Sequence, residues 1–192
     1  MIHPYSHYPA RAARHWPDRI ALIDSDRRRT YAELNRNADT IALWLMQLGM
    51  QPGERVALIQ QNCIEYVESV IGIARAGGAL VPMLGALTKP EHTFMLEDAD
   101  ARFVIAMTPE SAQRALASIS GNIRVLSFQD AEGITNISSL PSSAEGGPPQ
   151  ADLPPGSIAH ILYSSGTTGR PKGITHSYAS VSAAMNFWAH TF

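Results

Sequence analysis

Residues 163–173 read Tyr-Ser-Ser-Gly-Thr-Thr-Gly-Arg-Pro-Lys-Gly. Four small hydroxyl side chains, three glycines, a proline and one lysine share these eleven positions. Gly166 and Gly169 let the backbone bend until successive amides point into one concavity, and such a nest binds anions. Ser164, Ser165, Thr167 and Thr168 add hydroxyl donors, and Lys172 adds a mobile point charge suited to phosphate. Pro171 stiffens the way out of the turn. The apolar run Ile158–Tyr163 feeds the turn as a strand, and ligands of open α/β sheets gather outside the carboxyl ends of strands. A helix expected to begin near Thr175–Ser177 would aim its positive end at the same region. The residues therefore point to a polyphosphate, ATP with Mg²⁺. The common P-loop pattern does not fit. G-x-x-x-x-G-K-[ST] counted from Gly166 needs glycine where Pro171 stands, and G-x-G-x-x-G is absent.

Elements able to position such a turn alternate along the chain. Residues 20–31 read as a short hairpin, with Asp24–Arg29 at its tip. Thr30 and Glu33 form a capping box before a helical stripe of Leu34, Ala38, Ile41, Leu45 and Leu48, which Gly49 can stop. Arg55–Gln60 is a buried strand. Asn62 and Glu65 are expected to cap the next helix, with stripe Ile64, Val67, Ile71 and Ala74, ended by Gly77-Gly78. Leu80–Met83 is a strand, and Thr88-Lys89-Pro90-Glu91 a second helix start. Arg102–Ala106 and Ile123–Phe128 are strands flanking a helix near Pro109–Ser118. Proline clusters make 137–157 an exposed loop before the phosphate-loop region 158–175. Tyr178, Val181, Met185, Trp188 and Phe192 then share one helical face. The expected fold is α/β, a mostly parallel sheet with helices on both faces and a small hairpin near the amino terminus.

Composition narrows the class. The chain has 192 residues, 45% hydrophobic and 17% charged, with net charge −2 and pI about 6.4, which suits a globular protein and gives no strong field for nucleic acid. Thirteen arginines stand against two lysines, Lys89 and Lys172. Cys63 is the sole cysteine, so no internal disulfide forms. No stretch approaches the length of a membrane span, the first residues lack the apolar core of a signal peptide, and a cytoplasmic location is expected. No Cys/His grouping has zinc spacing. Arg27-Arg28-Arg29 could meet phosphates of a ligand or partner, or form a solvated hairpin tip. Cys63 stands near a helix start, where a thiol pKa can fall, or serves as a buried spacer.

The turn at 163–173 resembles the signature phosphate loop of the adenylate-forming superfamily, which includes acyl-CoA synthetases, aryl-CoA ligases, luciferases and peptide-synthetase adenylation domains. Residues 28–34 (RRTYAEL) resemble the family's first core motif, 74–83 (ARAGGALVPM) its second, and 15–22 (HWPDRIAL) its usual start. The resemblance covers the whole chain, 1–192, as a partial amino-terminal domain. It implies that a carboxylate attacks the α-phosphate of ATP, giving an acyl-adenylate and pyrophosphate, and that a thiol, often coenzyme A, then takes the acyl group. By motif position Ser164, Ser165, Gly166, Thr167, Thr168, Gly169 and Lys172 would hold the phosphates, with Lys172 stabilising the leaving pyrophosphate. Many members carry histidine six residues after the motif lysine. Here Tyr178 stands there and His176 lies four after, so both are candidates for the substrate side. The family's later motifs, for adenine and Mg²⁺, for ribose, and the carboxyl-terminal lysine, do not occur. The expectation is the amino-terminal portion of an AMP-forming acid:CoA ligase of the fatty-acid-metabolism kind, with Mg²⁺ ligands mostly elsewhere, inactive alone and prone to self-association through its open helical stripe. The alternatives are a naturally short, non-catalytic interaction protein and part of a peptide-synthetase-type adenylation enzyme.

Overall fold

Helix starts follow the sequence's own caps. In the computed structural model, which describes residues 5–59, 62–119, 121–140, 153–164 and 170–191, Thr30 precedes helix α2 (Tyr31–Gln47). The Glu33 amide donates to Thr30 Oγ1 at 3.2 Å, and the Thr30 amide to Glu33 Oε2 at 2.8 Å. Two amide donors that the helix leaves open are thus satisfied, worth about 1 kcal/mol. Thr88 begins α4 (Lys89–Asp98) with its amide donating to Glu91 Oε2 at 2.7 Å. α2 ends where Gly49 takes φ +89°, and Met50 N–H reaches back to Leu45 O at 3.0 Å.

One cap differs from expectation. Helix α3 (Ile64–Arg75) has Cys63, not Asn62, at its N-cap, with no side-chain cap bond. The Glu65 carboxylate faces the hairpin of β1 (Ile20–Asp24) and β2 (Arg27–Thr30) instead, accepting from Arg27 Nη2 at 3.1 Å. Arg29 Nε donates to Glu68 Oε1 at 3.2 Å, and Asn37 Nδ2 donates to the same oxygen at 2.7 Å. Burial raises the Glu68 carboxyl, opposed by Asn37 and Arg29. Arg27 and Arg29 therefore tie the hairpin to α3 and are occupied within the chain.

The main sheet has seven strands in the order β7-β6-β5-β3-β4-β8-β9. These are β3 (Arg55–Ile59), β4 (Ala79–Met83), β5 (Ala101–Ala106), β6 (Arg124–Ser127), β7 (Thr135–Asn136), β8 (Ile158–Ser164) and β9 (Lys172–Ser177). All neighbours run parallel except the β8–β9 pair. α3, α4 and α5 (Pro109–Leu116) make the crossovers. Alternation sorts the core: Val56 and Leu58 face α2 and α3, while Ala57 and Ile59 face α4 and α5. Fully burying a side chain such as Leu58 or Ile105 contributes about 2 kcal/mol. α2 and α3 meet closely at Gly72, where a Cβ would come within 2.8 Å of Ile41 Cβ.

Of the 137–157 stretch, Ile137 is fully buried, Trp44 Nε1 donates to Leu140 O at 3.1 Å, and 141–152 lie outside the described residues. The amino-terminal segment, with α1 (Tyr8–His15), packs against α2 and α3. Arg75, 6% exposed, donates to Ser6 O, Asn35 O and the Asp39 carboxylate, the last at 2.6 Å.

Candidate active site

The strands β8 and β9 flank the glycine- and hydroxyl-rich turn of the sequence. Ser164 stands opposite Lys172 in its register, so the turn's two ends leave the sheet side by side at the carboxyl end of β8. Lys172 is exposed and begins β9. Ser165, Gly166, Thr167, Thr168 and Gly169 lie outside the described residues. The chain returns at Arg170, whose guanidinium sits 6.0 Å over the Phe94 ring of α4. Tyr163, just before the turn, donates from its hydroxyl to Asp98 Oδ2 at 2.6 Å. Burial first, then that carboxylate, raises the Tyr163 hydroxyl far above its ordinary range and keeps it a donor.

The helix expected to begin near Thr175–Ser177 begins at the next residue, capped by Ser177 Oγ, which accepts from Ser180 N–H at 3.2 Å, but it does not aim at the turn. Those residues pair with β8 as β9, and helix α6 begins only at Tyr178 and runs to Thr191. Tyr178 N–H donates to Ser157 O at 3.0 Å and Ala179 N–H to Pro155 O at 2.9 Å. The start of α6 thus lies at the amino end of β8, roughly 20 Å from the turn at strand rise. Gly173, Ile174 and Thr175 pair opposite Tyr163, Leu162 and Ile161, and this intervening strand carries the helix start away from the turn. The start of α6 therefore does not aim its dipole at the carboxyl end of β8.

The two substrate-side candidates also follow β9 away from the turn. Tyr178 is 7% exposed, stacked on Tyr5, and donates to Gly78 O at 2.7 Å, so its hydroxyl is committed to the core. His176 pairs in register with His160, whose Nε2 lies 3.1 Å from the Tyr5 hydroxyl. Burial, and then the neighbouring His176, lower the His160 pKa.

Outside the carboxyl ends of β3 and β5 the direction of sheet growth reverses. A cavity of about 460 Å³ opens there, lined by Ile59, Cys63, Gly85, Thr108 and Arg114. Burial raises the Cys63 thiol, which is therefore not an activated nucleophile. Among the described residues no three His, Cys, Asp or Glu side chains converge as a metal site. The Tyr163–Asp98 and Arg170–Phe94 contacts carry no sequence signature, since each joins positions more than sixty residues apart.

The fold defines a doubly wound α/β protein with an antiparallel hairpin on one edge. The chain belongs to the AMP-binding enzyme family, which it matches over residues 9–192. The long-chain-fatty-acid–CoA ligase FadD13 of Mycobacterium tuberculosis is 34% identical over 171 residues, 87% of this chain and 33% of that protein. Tyrocidine synthase 1 of Brevibacillus parabrevis is 29% identical over 179 residues, 92% of this chain and 15% of that one. The apo structure of MbtA from Mycobacterium smegmatis superposes with a TM-score of 0.82 at 33% identity, covering 94% of this chain and 34% of MbtA. The chain thus spans about a third or less of the length of these relatives.

Proposed function

We propose that the chain is the amino-terminal portion of an ATP-dependent ligase that activates a carboxylic acid as its acyl-adenylate and passes the acyl group to the thiol of coenzyme A. Ser164, Ser165, Gly166, Thr167, Thr168, Gly169 and Lys172 hold the β- and γ-phosphates. The substrate carboxylate forms a bond to the α-phosphorus, and the bond to the bridging oxygen breaks. Lys172 and the turn's donors stabilise the charge that builds on the departing pyrophosphate. Mg²⁺, when present, neutralises phosphate charge. Its protein ligands would lie mostly outside these 192 residues. His176 remains the substrate-side candidate, and Tyr178 supports β9 from the core.

The carrying observation is the register of Ser164 opposite Lys172 at the end of a parallel strand, in a chain of the AMP-binding family. Coenzyme A is favoured as acceptor by the CoA-ligase relative, which is more identical than the tyrocidine synthase. A carrier-protein thiol, as in peptide-synthetase adenylation, is the second reading. A lone cysteine supports a cytoplasmic setting. Acid-dependent exchange of pyrophosphate into ATP tests the reading on the native cellular protein. Lys172→Ala should lower exchange about 100-fold. Exchange untouched by that substitution counts against the phosphate assignment. The 192-residue chain alone should give no acid-dependent exchange, and thioester formation with free coenzyme A separates the two acceptors.

A further inference from the structure

Residues 5–8 are bonded to three distant elements at once. Ser6 O accepts from Arg75 of α3, from Nε at 3.2 Å and from Nη2 at 3.1 Å. Tyr8 donates from its hydroxyl to Asn186 Oδ1 of α6. Tyr5, 5% exposed, stacks on Tyr178 and sets its ring edge-on to His160 of β8, with centroids 5.5 Å apart. Its hydroxyl lies 3.1 Å from His160 Nε2, its one hydrogen bond among the described residues. His160 in turn stands directly opposite His176 of β9. Opposite residues of an antiparallel pair share a face, with Cβ atoms about 5 Å apart. The candidate substrate-side histidine therefore has, as its cross-strand neighbour, an imidazole held from behind by the amino-terminal segment.

The proton positions follow from burial. A buried hydroxyl with a single partner donates, because an unused O–H in the core is costly. Burial, and then Tyr178, raise the Tyr5 hydroxyl far above its ordinary range and keep its proton in place. His160 Nε2 is then the acceptor, and the imidazole's own proton sits on Nδ1. Burial, and then His176, lower the His160 pKa, so this ring is neutral near neutral pH. We propose that Tyr5 is a positioning residue for His176: it holds His160 as a fixed, neutral Nδ1–H imidazole and so gives the substrate-side histidine a rigid, uncharged neighbour. The proposal rests on the carboxylate-activating reading above. The titratable groups that bear on His160 are Tyr5, through its bond, and His176, across the strand pair. A ring without that bond turns and exchanges tautomers. With the bond in place, His176 is the member of the pair left to carry charge toward a carboxylate.

The test pairs imidazole nitrogen NMR with kinetics on the native cellular protein, with palmitate as the acid probe. Tyr5→Phe keeps the ring stack and removes the hydroxyl. His160→Gln removes the imidazole and keeps a neutral acceptor for Tyr5, whereas His160→Ala removes both. The spectra should show His160 as Nδ1–H in the unaltered protein and mainly as Nε2–H in Tyr5→Phe, with the His176 signals shifted as well. The KM for palmitate should rise about fivefold in Tyr5→Phe and His160→Ala. The KM for MgATP should stay native, and kcat should change less than about twofold. His160→Gln should restore most of the palmitate KM. A native palmitate KM in Tyr5→Phe, or a native His160 tautomer there, overturns the proposal. If the unaltered protein gives no palmitate-dependent exchange, or His176→Ala leaves the palmitate KM native, the reading beneath it fails by itself. The spectra then decide the positioning: altered His160 and His176 signals in Tyr5→Phe support it, and native signals overturn it.

Discussion

Lys172 was singled out from residue type alone, an ammonium beside clustered hydroxyls and glycines, and the structure places it exposed at the start of β9 opposite Ser164. The surroundings of its neighbours were not legible. Tyr178 stands at a position that the resemblance marks for substrate, yet its hydroxyl goes to Gly78 O and its ring to Tyr5. One residue's partners depend on where the following strand carries it, and no local pattern encodes that. His160 is another such residue, apolar in its surroundings and bonded only through Tyr5 across 155 positions. Its pKa is lowered from the ordinary 6.5 by burial and then by His176. In the window between that lowered value and 6.5 the unfolded chain binds more protons than the folded one. Stability should therefore fall as pH drops below about 6.5 and recover as pH rises through it. Urea midpoints from pH 5 to 7.5 measure this slope, and His160→Gln should flatten it. An equal slope in the variant would place the titrating group elsewhere.

At the scale of elements the sequence was most readable where helical or strand periodicity was strong. The caps at Thr30 and Thr88, the stop at Gly49 and the buried strands β3, β5 and β6 all follow from local patterns. The strand β9 before α6 was missed because 172–177 has no periodicity of its own, and pairing with β8 decides it. The α2–α3 contact was invisible for a similar reason. Gly72 looks like an ordinary helix glycine, but a Cβ there would meet Ile41 Cβ and Cγ2 at 2.8 Å. Gly72→Ala raises helix propensity and still should destabilise the fold by about 2 kcal/mol through overpacking. Thermal unfolding measures it, and an unchanged or higher midpoint would mean the two helices separate freely.

The whole molecule shows why a sheet's edges matter. β9 ends the strand order, and beside it Ile174 is 50% exposed, Met185 47% and Phe187 65%. Exposed apolar side chains near an open strand edge favour association. The average mass by light scattering should climb above 20.8 kDa as concentration rises. Ile174→Thr with Met185→Lys should return it to that value. A concentration-independent 20.8 kDa for the unaltered chain would show the band to be inert. Fold class, hairpin and strand alternation could be read ahead of the structure, whereas the strand order could not, because it depends on contacts between distant segments. The docking of the first residues is the extreme case. Tyr5 bonds His160, and Tyr8 bonds Asn186 across 178 positions. Residues 5–8 can meet α2 and α3 early, through contacts such as Arg75 with Ser6 O, but the bonds of Tyr5 and Tyr8 form only once residues 160 and 186 have been made. Until then these two tyrosines lack those partners, and the rate of translation sets how long they stay open to solvent or to a chaperone.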